Sequence, residues 1–221
     1  VELPQKNVDF GGGLERLVAA TELKEDIFQT SLFWPIIKSV ERVSSRSYHV
    51  FQKQMRIVTD HLIASSFLIA DGVIPSNKQQ GSVLRGLIRR SLENFSVLEI
   101  KDPVPILQSV INQYESTDPQ LIEKYEKIKL TILEEQQAYK SKLDQAIKFV
   151  YKTEGIREGD ELKGDLVNIS AGTAFKSLAS LGVGPTQLKS LGFKFDEQEL
   201  AEEIKKHQNI SRKSVKEKFK K

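Results

Sequence analysis

Apolar residues recur every three or four positions along most of this chain, and the strict alternation of a half-buried strand is nowhere sustained. The pattern opens with a helix at Leu14-Glu15-Arg16-Leu17-Val18-Ala19-Ala20, entered from a short extended piece at Lys6 to Phe10 through the bend Gly11-Gly12-Gly13. A second helix is expected over Ser31 to Val43, with Leu32, Ile36, Ile37 and Val40 inward, and a third over Tyr48 to Ala70. Asp71-Gly72 and Pro75-Ser76-Asn77 end the third by turn chemistry. From Gly81 a basic amphipathic helix runs to about Phe95, and Asp102-Pro103 starts another that reaches Tyr114. After Asp118-Pro119 comes the longest periodic stretch, with Leu121, Tyr125, Ile128, Ile132, Tyr139, Leu143, Ala146 and Val150 on one face. It reads either as one long helix or as a hairpin broken near Glu134 to Gln137. Turns at Glu154-Gly155 and Gly159-Asp160 precede short helices at Ser170 to Leu181, Pro185 to Leu191 and Glu197 to Asn209. The fold class is therefore mainly α, a multi-helix domain with a short N-terminal strand-helix piece, no internal repeat and no sheet. Residues 1–24 are expected to stand apart from a helical body at 25–221, which has room for two subdomains meeting near 97–118.

Composition narrows the setting. The 221 residues, 39% of them hydrophobic, suffice for a real core. The longest apolar candidate, Leu62 to Ile74, is cut by Ser65, Ser66, Asp71 and Gly72, so no membrane partner is expected. Val1-Glu2-Leu3-Pro4 has no signal-peptide character and no initiator Met, which suggests an excised segment. With no cysteine there is neither a disulfide framework nor a thiolate metal site, a composition compatible with a reducing cytosol. His49, His61 and His207 lack metal-ligand spacing, so no metal site is expected. The net charge is +3, unevenly spread: Ser211 to Lys221 carries six Lys or Arg against the single Glu217. Such a tract is either a solvated tail or a contact for polyanions.

Three constellations carry chemistry. In Gly11-Gly12-Gly13-Leu14-Glu15-Arg16 the glycines permit close backbone approach to a phosphate, and Arg16, one turn inside the helix, can pair with a polyphosphate. A glycine-rich bend is also simply a bend. Arg85 and Arg89 lie four apart on one helical face with Arg90 beside them, while Val83, Leu84, Leu87 and Ile88 face inward. That face can grip phosphates, or it can be a solvated surface with an internal pairing to Glu93. Asn77 ends the Pro-Ser-Asn turn, either as a turn or cap residue or as a group offering donor and acceptor to a ligand. Asp60 and His61 lie mid-helix with no nucleophile nearby, so a packed His bonded to a carboxylate or backbone group is expected.

The glycine-rich run followed by Glu15-Arg16 resembles motif 3 of class II aminoacyl-tRNA synthetases, and its flanks look like the alanyl-tRNA synthetases among them. The resemblance is stronger across Arg56-Ile57-Val58-Thr59-Asp60-His61-Leu62, Phe67 to Asn77, and Gly81-Ser82-Val83-Leu84-Arg85-Gly86-Leu87-Ile88-Arg89-Arg90. In the family that last helix reads Gly-Tyr-Val-Leu-Arg-Arg-Ile-Ile-Arg-Arg, so Ser82 and Gly86 depart from it. The resemblance implies ATP binding by Gly11, Gly13 and Arg16 in the full-length parent, with Mg2+, and no cofactor bound to this piece alone. It implies contact of Asn77, Arg85, Arg89 and Arg90 with the acceptor stem of alanine tRNA, Asn77 helping to read a G·U wobble pair whose minor groove displays an unpaired guanine amino group. Where the family carries an Asp for the same pair, this chain has Ala179. Motifs 1 and 2 and the zinc ligands of an editing domain are absent, so the chain is expected to be inactive alone, to need the remaining catalytic domain as partner, and to work in the cytoplasm. Two rival readings are a divergent RNA-binding module without alanine-tRNA specificity and a helical scaffold for protein partners.

Overall fold

Helix boundaries fall where the chain supplies caps and stops. A computed structural model describes residues 11–156 and 166–218, with side chains of the last helix described through residue 208. The extended piece expected at residues 6–10 and the turn at Gly159-Asp160 lie outside the described residues. About 71% of the described residues are helical, in ten α-helices among them, which establishes the mainly α class. Two compact units divide the chain, one up to Gln136 and one from Gln137 onward.

The first unit begins with α1 (Leu14–Thr21), whose N-cap Gly13 accepts from the N–H groups of Arg16 and Leu17 at 3.1 Å each. A 3-10 turn at Ile27–Gln29 follows, capped by the Asp26 carboxylate on Phe28 N–H. Next come α2 (Trp34–Ser44), entered through Pro35 and stopped by Ser45 in the left-handed region, and α3 (Gln52–Ala70), stopped at Asp71-Gly72. Then α4 (Gln79–Leu98) ends at Glu99, again left-handed, and α5 (Val104–Tyr114) is entered through Pro103. The short α6 (Gln120–Glu123) precedes α7 (Tyr125–Glu154), whose first turns belong to this unit.

Packing follows the periodicity. Helix α3 lies against α4 and α2, and α2 against α5. Ile36, Ile37 and Val40 are fully buried as expected, whereas Leu32 precedes the helix and is half-buried. The long stripe breaks at Lys124, whose ammonium donates to the last carbonyl of α3, Ala70 O, at 2.6 Å, and not at residues 134–137. A polar pin joins the entry segment to α3: Tyr48 Oη donates to Asp26 Oδ2 at 2.5 Å, Arg56 Nη2 reaches the same oxygen at 2.9 Å, and Arg56 Nε donates to Tyr48 Oη at 2.8 Å.

The second unit is built on the rest of α7. Ala146 and Val150 pack with Ile169, Ala174, Leu188, Phe193 and Leu200. Here the expectation of no sheet is corrected: β1 (Val167–Asn168) and β2 (Phe193–Lys194) pair in parallel, Val167 opposite Phe193. Two-residue strands are too short to show alternation, so periodicity was blind to them. Between them lie α8 (Ala171–Lys176), capped by Ser170 Oγ on Thr173 N–H, a π-helical turn at Ser177–Leu181, and α9 (Pro185–Ser190). The chain continues into α10 (Glu197–Lys218).

Candidate functional site

The Pro75-Ser76-Asn77 turn is folded back onto the first turn of α4. Ser76 N–H donates to Gly81 O at 3.0 Å, and Ser76 Oγ accepts from Lys78 N–H at 3.2 Å while donating to Lys78 O at 3.0 Å. Gly81 makes this approach possible, because a Cβ there would sit 2.2 Å from Ser76 Oγ and 2.5 Å from Ile74 O. Asn77 is thereby left exposed at the mouth of the turn, and Lys78, not Asn77, is the N-cap of α4.

One turn further along, Arg85 reaches back. Its Nη1 donates to Asn77 Oδ1, its Nη2 lies 3.4 Å from Pro75 O, and its Nε stands 3.6 Å from Glu135 Oε1 on α7. Arg89 Nε donates to the same Glu135 oxygen at 2.7 Å. The Glu135 side chain is only 8% exposed, against 26% for Arg85 and 24% for Arg89. Arg90 points to solvent. The structure thus brings Asn77, Arg85 and Arg89 together around a carboxylate and leaves Arg90 on the open side. Leu84 and Ile88 are fully buried as expected, but Val83 is 59% exposed, a correction to its inward assignment: it lies about 100° around the helix from Leu84 and about 140° from Ile88, outside the buried stripe.

At the head of α1, Arg16 is exposed. Among the described residues packing demands neither Gly11 nor Gly13: a Cβ at Gly11 would meet none of them within 4 Å, and at Gly13 only Arg16 and Glu15 side-chain atoms at ordinary contact distance. Gly13 has φ −76°, so no left-handed bend requires it. His61 Nδ1 is 2.9 Å from Asp60 Oδ2, the packed, carboxylate-bonded histidine expected, and its Nε2 is buried without a hydrogen-bond partner among the described residues. Ala179 lies exposed in the π-helical turn of the second unit. Among the described residues no group of three or more His, Cys, Asp or Glu could hold a metal ion, and no helix is long and apolar enough to cross a membrane.

Glu135 is the member of the cluster that sequence reasoning missed. Its signal was present: it follows Ile128 and Ile132 at seven and three residues, so a carboxylate occupies a position of the apolar stripe. An acid on a buried face announces a buried cationic partner.

The family model described as tRNA synthetases class II (A) matches residues 1–221. The chain belongs to this family. Among similar proteins, the alanine–tRNA ligase of Petrotoga mobilis is 39% identical over 145 residues, covering 63% of this chain and 17% of that protein. That of Francisella philomiragia is 32% identical over 222 residues, covering 97% of the chain and 25% of the ligase. The Streptococcus sanguinis ligase is 36% identical over 188 residues, 82% of the chain and 21% of its own length. The chain therefore spans a quarter or less of these class II relatives.

Proposed function

We propose that this chain is the tRNA-recognition part of an alanine–tRNA ligase, docking the acceptor stem of alanine tRNA for ATP-dependent alanylation by the complete enzyme. The observation that carries the reading is the exposed Asn77, presented on a tight turn and clamped by Arg85 at the head of a basic helix. A carboxamide reads donors and acceptors on base edges, and arginines beside it hold phosphates without reading sequence. Arg85, Arg89 and Arg90 fill that second role. Residues 25–221 form the recognition domain in this reading, and residues 1–24 the end of the catalytic domain.

Gly11, Gly13 and Arg16 are the residues that would meet ATP. The exposure of Arg16, and the space that the described residues leave at Gly11, fit a polyphosphate chain. In the complete enzyme ATP, with Mg2+, supplies the leaving group that activates the amino-acid carboxylate. The remaining catalytic domain is the partner this implies.

Ala179 favours one second reading, a clamp that grips acceptor stems without strict selection of the wobble pair, since a methyl group accepts no hydrogen bond from a guanine amino group. Binding to an alanine-tRNA acceptor minihelix, beside one whose wobble pair is changed to G·C, separates the two. The wobble stem is expected to bind distinctly tighter, with Asn77→Ala erasing the difference. Equal binding of both stems by the unaltered chain sinks the assignment of Asn77.

A further inference from the structure

A guanidinium carries only donors, so the Asn77 atom that meets Arg85 has to be the carbonyl oxygen. The NH2 group of Asn77 is then turned outward, toward acceptors such as a pyrimidine O2, a purine N3 or a ribose 2′-oxygen in a minor groove, while the second lone pair of Oδ1 stays available to a donor such as a guanine amino group. Arg85 Nη1 meets Asn77, and its buried Nε, which has no hydrogen-bond partner among the described residues, stands 3.6 Å from Glu135 Oε1, at ion-pair and not hydrogen-bond distance. An arginine on an exposed helix face samples many rotamers. This one is held near Glu135 Oε1, whose other ligand, Arg89 Nε at 2.7 Å, fixes the carboxylate in turn.

We propose that Glu135 is a positioning residue for recognition: from the buried face of α7 it locks Arg85, and through Arg85 it turns the Asn77 carboxamide donor-outward. This rests on the reading of Asn77 as the residue that distinguishes acceptor stems. Glu135 also opposes a second property of the same face. Two arginines share the Glu135 carboxylate, which lowers by one the positive charge that they present. Selectivity and sequence-blind attraction are thus set against each other at one residue. Removing the Glu135 charge should raise the attraction to any phosphate backbone while lowering the discrimination between stems. A carboxylate that served packing alone would not exchange the one for the other.

The test is binding of this chain, Glu135→Gln, Arg85→Lys and Asn77→Ala to wobble and G·C minihelices across a salt series. Glu135→Gln is expected to lower the wobble to G·C affinity ratio by up to about tenfold, the size of one hydrogen bond from the Asn77 carboxamide to the stem. It should also bind the G·C stem more tightly, with a log–log salt slope steeper by about one. Arg85→Lys keeps the charge, but a single ammonium cannot span Asn77, Pro75 O and Glu135 together. It should lower the ratio with the slope unchanged, and it carries the test if Glu135→Gln does not fold. Folded variants that keep the parental ratio, while Asn77→Ala abolishes it, overturn the role of Glu135 and leave the Asn77 reading standing. A parental chain with no ratio, or one that Asn77→Ala leaves intact, overturns both.

Discussion

Tyr48 has no exposed surface, yet its hydroxyl sits between the carboxylate of Asp26 and the guanidinium of Arg56. Burial and the bond to Asp26 push its pKa from 10.0 up to about 12, against the pull of Arg56. For Asp26, burial works to raise the carboxyl, but donation from Tyr48, Arg56 and Phe28 N–H outweighs it and leaves the group lowered from 3.8. The signs follow directly. Between pH 10 and 12 the unfolded chain has lost the phenolic proton that the folded chain keeps, so stability falls as pH rises through that window, by at most about 3 kcal/mol. At the acid end the Asp26 contribution, fully present above pH 3.8, is lost as pH falls through the lowered folded value. Tyr48→Phe is expected to cost about 1–3 kcal/mol at neutral pH, because Asp26 and Arg56 each lose a partner. It should also flatten the alkaline decline relative to the parent, as urea unfolding at pH 7, 10 and 11.5 would measure. A decline of the same steepness in Tyr48→Phe would assign that window to other groups.

Helix α4 carries two glycines whose replacement by alanine should have opposite signs. At Gly86, exposed in the helix interior with nothing within 4 Å of a new Cβ, alanine is expected to add about 1 kcal/mol of stability through helix propensity. At Gly81 the same Cβ would sit 2.5 Å from the Ile74 carbonyl and 2.2 Å from Ser76 Oγ. The turn bearing Asn77 must then move, at a cost of about 1–3 kcal/mol that exceeds the propensity gain. Thermal unfolding of the two variants checks the signs, and a stabilised Gly81→Ala would mean the turn is held less closely than described. These glycines also show what the sequence could disclose. A glycine beside a helix start is visible in sequence, but which carbonyl it shelters is a tertiary fact. Likewise the period of three to four residues made α2, with its inward Ile36, Ile37 and Val40, legible along with α3 and α5, since burial of one stripe is what that period encodes. It could not decide between a hairpin and a single α7, because Glu135 interrupts the stripe and its two arginines lie 46 and 50 residues away in sequence. Of the candidate site, Arg85 and Arg89 were legible from their spacing on one helical face and Asn77 from its turn, with their stem contacts implied by the resemblance, but the convergence of all three was not: it depends on the reach of Arg85 back to the turn and on a carboxylate from another helix.

Charge over the whole chain is divided in a way the total conceals. Ser211 to Lys221 contributes +5, and the overall charge is +3, so residues 1–210 carry a net −2. A body of that sign draws a nucleic acid through local arginines and not through a general field. On the proposed reading the arginines Arg85, Arg89 and Arg90 are such a place, and Glu135 already offsets part of their charge. Sequence-blind attraction should therefore reside largely in residues 211–221, and stem selection in residues 75–89. Shortening the chain to residue 210 is expected to make the salt dependence of minihelix binding shallower by about 0.9 in log–log slope for each phosphate no longer neutralised. The ratio of wobble to G·C affinity should stay where it was, because groups that hold phosphates do not distinguish base pairs. An unchanged slope would mean that the basic tract is a solvated tail. A changed ratio would place part of the reading of the stem in the last eleven residues, and the separation of attraction from selection would then fail.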